Sequence, residues 1–271
     1  MISRRNFLKL AGGTAGTAFA SLLAACSGPH SPAGLAGETP EGQQEVGSVA
    51  SRGSLLARPT PPPSDTTAPT GLRPLGLGSG RDGLIYVPAG YRATEEAPLA
   101  LMLHGAGGDA RSGISPFLNL ADEAGLVLLA PESCGRTWDV LVGDYGPDVE
   151  FIDRALKQTF DRLAVDAGRL AVEGFSDGAS YALSIGLTNG DLFTHMIAFS
   201  PGFMAPAAYT GKPPVFVSHG THDEVLPIQE TSRRIVPRLK RSGYEVRYRE
   251  FDGPHTLPES VAGEALEWFT T

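Results

Sequence analysis

Gly174-Phe175-Ser176-Asp177-Gly178 is the stretch that most narrows what this chain can become. It follows the apolar run Leu170-Ala171-Val172 and opens into Ala179-Ser180-Tyr181-Ala182-Leu183, which reads as helix. A strand turning this abruptly into a helix lifts the turn residue, here a serine, over the end of a sheet. Sterics explain the flanking glycines: the strained turn brings backbone segments so close that a Cβ at either position clashes. With 34 glycines in 271 residues, a shuffled chain matches the pattern by chance roughly 0.3 times. The surrounding elements therefore have to carry the assignment.

From Leu72 onward, short apolar runs alternate with amphipathic stretches, the pattern of an α/β chain with a mostly parallel, doubly wound sheet and helices on both faces. Strands are expected at 83–88, 99–103, 126–130, 170–172, 195–199, 214–218 and 246–251. Helices are expected at 112–123, from an Asp148 N-cap through Leu163, after the elbow, across Ile228, Ile235 and Leu239 with a kink at Pro237, and at 259–269. Leu55-Leu56-Ala57-Arg58 suits a short edge strand. Gly202 to Lys212 is too short for a lid, so no cap domain is expected over the site.

In such a sheet, catalytic groups sit on loops at the carboxyl ends of strands. A serine hydroxyl needs a base to take its proton, and the base needs a third group to orient it. His195 starts a strand and stands at the wrong end. His255, after the last strand in Asp252-Gly253-Pro254-His255, is the base. The loop after 195–199 has no acid, so the orienting carboxylate comes from His219-Gly220-Thr221-His222-Asp223-Glu224. Asp223 is preferred to Glu224 because its shorter side chain has less entropy to lose. His219-x-x-His222-Asp223 lacks a third spaced ligand, and no metal or other cofactor is expected. Two N–H donors must face the developing oxyanion: the amide of Asp177, and one from His104-Gly105-Ala106-Gly107-Gly108, with Ala106 ahead of Gly107. His104, Gly105 and Gly107 then border the substrate, and Trp138 and Phe203 are candidates to line an acyl or aryl pocket.

Together these segments, with Pro254-His255-Thr256, make residues from about 70 to 271 resemble the α/β-hydrolase superfamily. Within it the chain resembles the lidless phospholipase/carboxylesterase and dienelactone-hydrolase-like esterases, with polyhydroxybutyrate depolymerase and feruloyl esterase relatives. The resemblance implies ester hydrolysis through an acyl-enzyme. Dienelactone hydrolases carry cysteine where this chain has Ser176, which points away from their lactone chemistry.

Ser3-Arg4-Arg5-Asn6-Phe7-Leu8-Lys9 and the Ala/Gly/Leu-rich run to Ala25 resemble a twin-arginine export signal. Leu23-Ala24-Ala25-Cys26 resembles a lipobox, implying acyl chains on Cys26, a membrane attachment and a location outside the cytoplasm. The expected layout is a signal segment at 1–26, a disordered tether at 27–50 and a catalytic domain at 51–271. Cys134, the other cysteine, then has no partner and is expected as a half-buried loop thiol. A formal net charge of -8 argues against a nucleic-acid partner. An amidase on the same triad and a non-catalytic lipoprotein on the same scaffold are the competing readings.

Overall fold

The computed structural model describes residues 52–60, 69–78 and 80–271. The signal segment with Cys26 and the tether lie outside the described residues.

Eight strands form one sheet: β1 (Gly71–Pro74), β2 (Gly83–Val87), β3 (Ala97–Leu103), β4 (Val127–Pro131), β5 (Val165–Phe175), β6 (His195–Phe199), β7 (Val215–Gly220) and β8 (Val246–Phe251). Their order is β1-β2-β4-β3-β5-β6-β7-β8. The pairs β1/β2 and β2/β4 are antiparallel, and every other pair is parallel. The chain leaves β3 toward β4 on one side and returns to β5 on the other. The crevice beyond the carboxyl ends of β3 and β5 is therefore the switch point where such sheets place their sites.

Among the described residues six helices accompany the sheet: α1 (Ala110–Leu118), α2 (Asp139–Val142), α3 (Pro147–Arg162), α4 (Asp177–Thr188), α5 (Ser232–Arg241) and α6 (Glu259–Thr270). The two-residue period of β3 sends Leu99, Leu101 and Leu103 into one core and Ala100 and Met102 into the other. Ile114 and Phe117 of α1 and Val261 and Ala265 of α6 cover the second core, while α3, α4 and α5 cover the first. Both faces are thus dry, as the unbroken apolar strands anticipate.

Local chemistry explains where the elements depart from expectation. Helix α1 starts before Ser112 because Asp109 caps it, its side chain accepting from the Ser112 amide while Ser112 reaches back to the cap. Pro116 inside it removes a donor to the Ser112 carbonyl, and the Ser115 hydroxyl supplies one instead at 3.1 Å. Helix α3 is capped not by Asp148 but by Gly146, with Pro147 in the first turn. The 55–58 segment is no strand. Leu55 is buried, and the amides of Leu55, Leu56 and Ala57 are held by side chains, Asn189 for the first and Asp153 for the other two. The edge strand β1 and the short helix α2 were not expected.

Candidate active site

Ser176 adopts φ 58°, a left-handed conformation that costs a side-chain-bearing residue about 1–3 kcal/mol. Packing around the elbow holds it there. A Cβ on Gly174 would lie 2.3 Å from the Gly178 backbone, and one on Gly178 would lie 2.0 Å from the Leu103 carbonyl oxygen. No larger residue fits either place, so the end of β5 is locked against the end of β3.

The loops after β7 and β8 meet over this serine. The Thr221 amide donates to the Phe251 carbonyl and the His222 amide to that of Gly253. Gly220 permits the approach, since a Cβ there would meet the Gly253 and Pro254 carbonyl oxygens at 2.4 Å. His255 is thereby brought between two partners: its Nδ1 is 2.6 Å from Asp223 Oδ2 and its Nε2 is 2.9 Å from Ser176 Oγ. The Phe175 ring, 4.8 Å away between centroids, backs the imidazole. Asp223 is buried and its Oδ1 accepts from the amides of Val225 and Leu226. Burial alone would raise this carboxyl, but the hydrogen bonds from His219, His255 and Leu226 outweigh it and hold it far below the usual carboxylate range. Glu224 is exposed.

The glycine-rich loop after β3 lies against the elbow, Gly105 facing the Ser176 Cβ. The Gly107 amide is engaged by the Arg136 carbonyl at 2.7 Å and the Gly108 amide by that of Gly105 at 3.0 Å. The Gly107 amide is therefore already engaged, while Ala106 is exposed. Asp177 opens α4 and turns its carboxylate aside to accept from Thr137 Oγ1 at 2.7 Å. Burial raises that carboxyl, against the lowering by Thr137 and His255.

Two residues assigned to the substrate face the interior instead. Trp138 has no exposed surface; its indole N–H donates to the His104 carbonyl at 2.9 Å and its ring stacks on Tyr181. His104 is buried too, Nδ1 against the Gly105 carbonyl at 2.8 Å and Nε2 accepting from the Ser133 amide at 3.0 Å. Burial lowers its basicity, in keeping with a neutral ring that props the loop from behind. Phe203 is half-buried on a loop that sequence reasoning left unanchored. Ser180, Ser184 and Thr188 of α4 accept from the amides of Gly202, Ala205 and Ala207, fastening this loop to the helix. Three hydroxyls four residues apart on an apolar helix were the available signal.

His219 and His222 do not share a centre. His219 is fully buried with both ring nitrogens engaged, whereas His222 is exposed beside Asp252. Cys134 is half-buried on the loop after β4, and its amide donates to Asp148 Oδ1 at 2.5 Å. Behind Phe175 opens a groove of about 350 Å³ between α1 and α6, walled by Ser115, Pro116, Leu120, Leu257 and Ala262 among others.

A profile of the phospholipase/carboxylesterase family matches residues 149–267, which include Ser176, Asp223 and His255. Feruloyl esterase C of Emericella nidulans is 27% identical over 164 residues, 55% of this chain and 57% of that protein. The chain thus spans little more than half the length of this relative. Among solved structures, esterase PE8 is 23% identical with a TM-score of 0.57, covering 69% of this chain and 96% of that one. The ferulic acid esterase AmCE1 from Anaeromyces mucronatus, without substrate, is 19% identical with a TM-score of 0.57, covering 80% of this chain and 98% of that one. The architecture is that of the α/β-hydrolase fold.

Proposed function

We propose that this α/β-hydrolase chain is a serine-dependent carboxylic ester hydrolase working through an acyl-enzyme. The observation that carries the reading is the position of His255, within hydrogen-bond reach of Ser176 Oγ and Asp223 at once. Ser176 Oγ attacks the ester carbonyl carbon as its proton passes to His255 Nε2. Asp223 holds Nδ1–H and stabilises the imidazolium that forms. The carbonyl oxygen, now negative, faces the amides of Ala106 and Asp177, the latter at the positive end of α4. His255 then protonates the departing alkoxide, and water, deprotonated by the same imidazole, releases the acid and restores the serine.

The groove supports an aryl or similarly flat group on one side of the ester. Its walls mix apolar Leu120 and Leu257 with Ser115, and it adjoins the site through Phe175. The feruloyl esterases among the relatives agree with such a substrate class. Export and attachment through an acylated Cys26 belong to the same reading, supported by the first 26 residues of the sequence.

A short-chain nitrophenyl ester and the matching nitroanilide, assayed side by side, test the activity. The ester is expected to turn over and the anilide to lag far behind. Ser176→Ala is expected to lower kcat on the order of 10⁶-fold. Equal rates on both substrates, or an active Ser176→Ala variant, would defeat the proposal.

A further inference from the structure

Asp223 is the buried anion of the site, and its Oδ2 faces two imidazoles. One is His255, at 2.6 Å from Nδ1; the other is His219, with Nε2 at 3.1 Å. His219 lies on β7 and has no exposed surface. Its tautomer follows from its neighbours. Nε2 is also 2.8 Å from the Leu226 carbonyl oxygen, which accepts only, so Nε2 must carry a hydrogen. That hydrogen is shared between Leu226 O and Asp223 Oδ2. Nδ1 is 2.7 Å from the hydroxyl of Ser232, the first residue of α5, which donates into it.

We infer that His219 is a positioning residue for the triad, a second donor on Asp223 that sets how strongly this carboxylate holds His255. The inference rests on the esterase reading above. With Val225 and Leu226 amides on Oδ1 and two imidazoles on Oδ2, four donors fill the carboxylate and fix its plane. A shared donor also withdraws charge from the oxygen that faces His255. Asp223 therefore orients the base without gripping the imidazolium so tightly that the proton is slow to move on to the leaving group. Other charges near this cluster already have partners: Glu250, paired across from His219 in β8, is bound by Arg233, and the exposed His222 lies beside Asp252. Asp177 faces His255 from α4 with its carboxylate turned to Thr137.

The test compares His219→Leu, which removes the donor, with His219→Gln, whose amide N–H reaches about as far as Nε2. Wild type and variants are first counted by labelling with a fluorophosphonate, then profiled for kcat/KM against pH on a nitrophenyl ester. In the Leu variant the acidic limb is expected to move up by about one pH unit and plateau kcat to fall about tenfold, with KM unchanged. The Gln variant is expected to restore the limb. A purely structural His219 would lower the labelled fraction and leave the limb, measured on unlabelled enzyme and scaled by that count, where it was, and that result overturns the inference. Wild type that takes no label at Ser176 would instead bring down the esterase reading, and this role with it. Should the Leu variant not fold, nitrogen-15 spectra of the wild type decide: a neutral His219 protonated on Nε2 supports the inference, and one protonated on Nδ1 overturns it.

Discussion

Asp148 carries a carboxyl that burial, reinforced by the charge of Asp139, pushes up to about 7, even though it accepts from the amides of Cys134 and Asp139 at 2.5 and 2.6 Å. The folded chain therefore holds a proton here that the unfolded chain has lost above about pH 4. The sign follows: this residue favours folding at low pH, and its contribution declines as pH rises from 4 to 7. Asp148→Asn cannot ionise, but its single carbonyl oxygen replaces two acceptors and leaves one buried amide short, at about 1–3 kcal/mol. Urea unfolding from pH 5 to 8 is expected to show the variant less stable at pH 5, with the gap narrowing toward pH 8. A gap that is constant or widens would contradict the assignment. Individual residues were unevenly legible. Ser176, Asp223 and His255 each follow a strand end, where topology leaves little choice. Trp138 does not, because an aromatic beside a site packs inward or faces the substrate with the same sequence spacing. Glu173, fully buried on the strand into the elbow with neither oxygen hydrogen-bonded among the described residues, left no sign in a pattern read from apolar runs alone.

At the scale of elements, strands were the easiest to read, since β3 to β8 are covered on both faces or follow strong apolar periods. Helix starts were harder, being decided by single side chains: Asp109 for α1 and the Gly146-Pro147 pair for α3. The groove between α1 and α6 was not legible at all, because it arises from two helices more than a hundred residues apart lying side by side on one face of the sheet. Ser115 lines it from the exposed side of α1, so Ser115→Trp fills it without disturbing the core. The KM for hydroxycinnamoyl esters is expected to rise about tenfold while that for acetate esters stays level. A matched rise for both classes would show that the groove does not hold the aryl group. Loss of the Ser115 hydroxyl's bond to the Ser112 carbonyl lowers stability slightly, and a folded thermal transition together with an unchanged KM for acetate esters separates the groove effect from general damage.

For the molecule as a whole, the open site and the proposed export of the chain form one question: what ester is within reach. Among the described residues no lid covers the sheet and no helix is long and apolar enough to cross a membrane, and the proposed attachment is through Cys26. Acyl chains contribute about 0.8 kcal/mol for each buried methylene, and two or more hold a protein at a bilayer where one does not. Full-length protein expressed in a bacterium with both export and acylation machinery is expected to enter the detergent phase on Triton X-114 partition. Its intact mass should correspond to a chain beginning at Cys26 plus diacylglycerol, unchanged by reductant. Cys26→Ser is expected to move the protein to the aqueous phase with its nitrophenyl esterase activity intact. If the parent stays aqueous, or its mass carries no acyl groups, the anchor is wrong, and the substrate is then to be sought in solution rather than at a membrane surface.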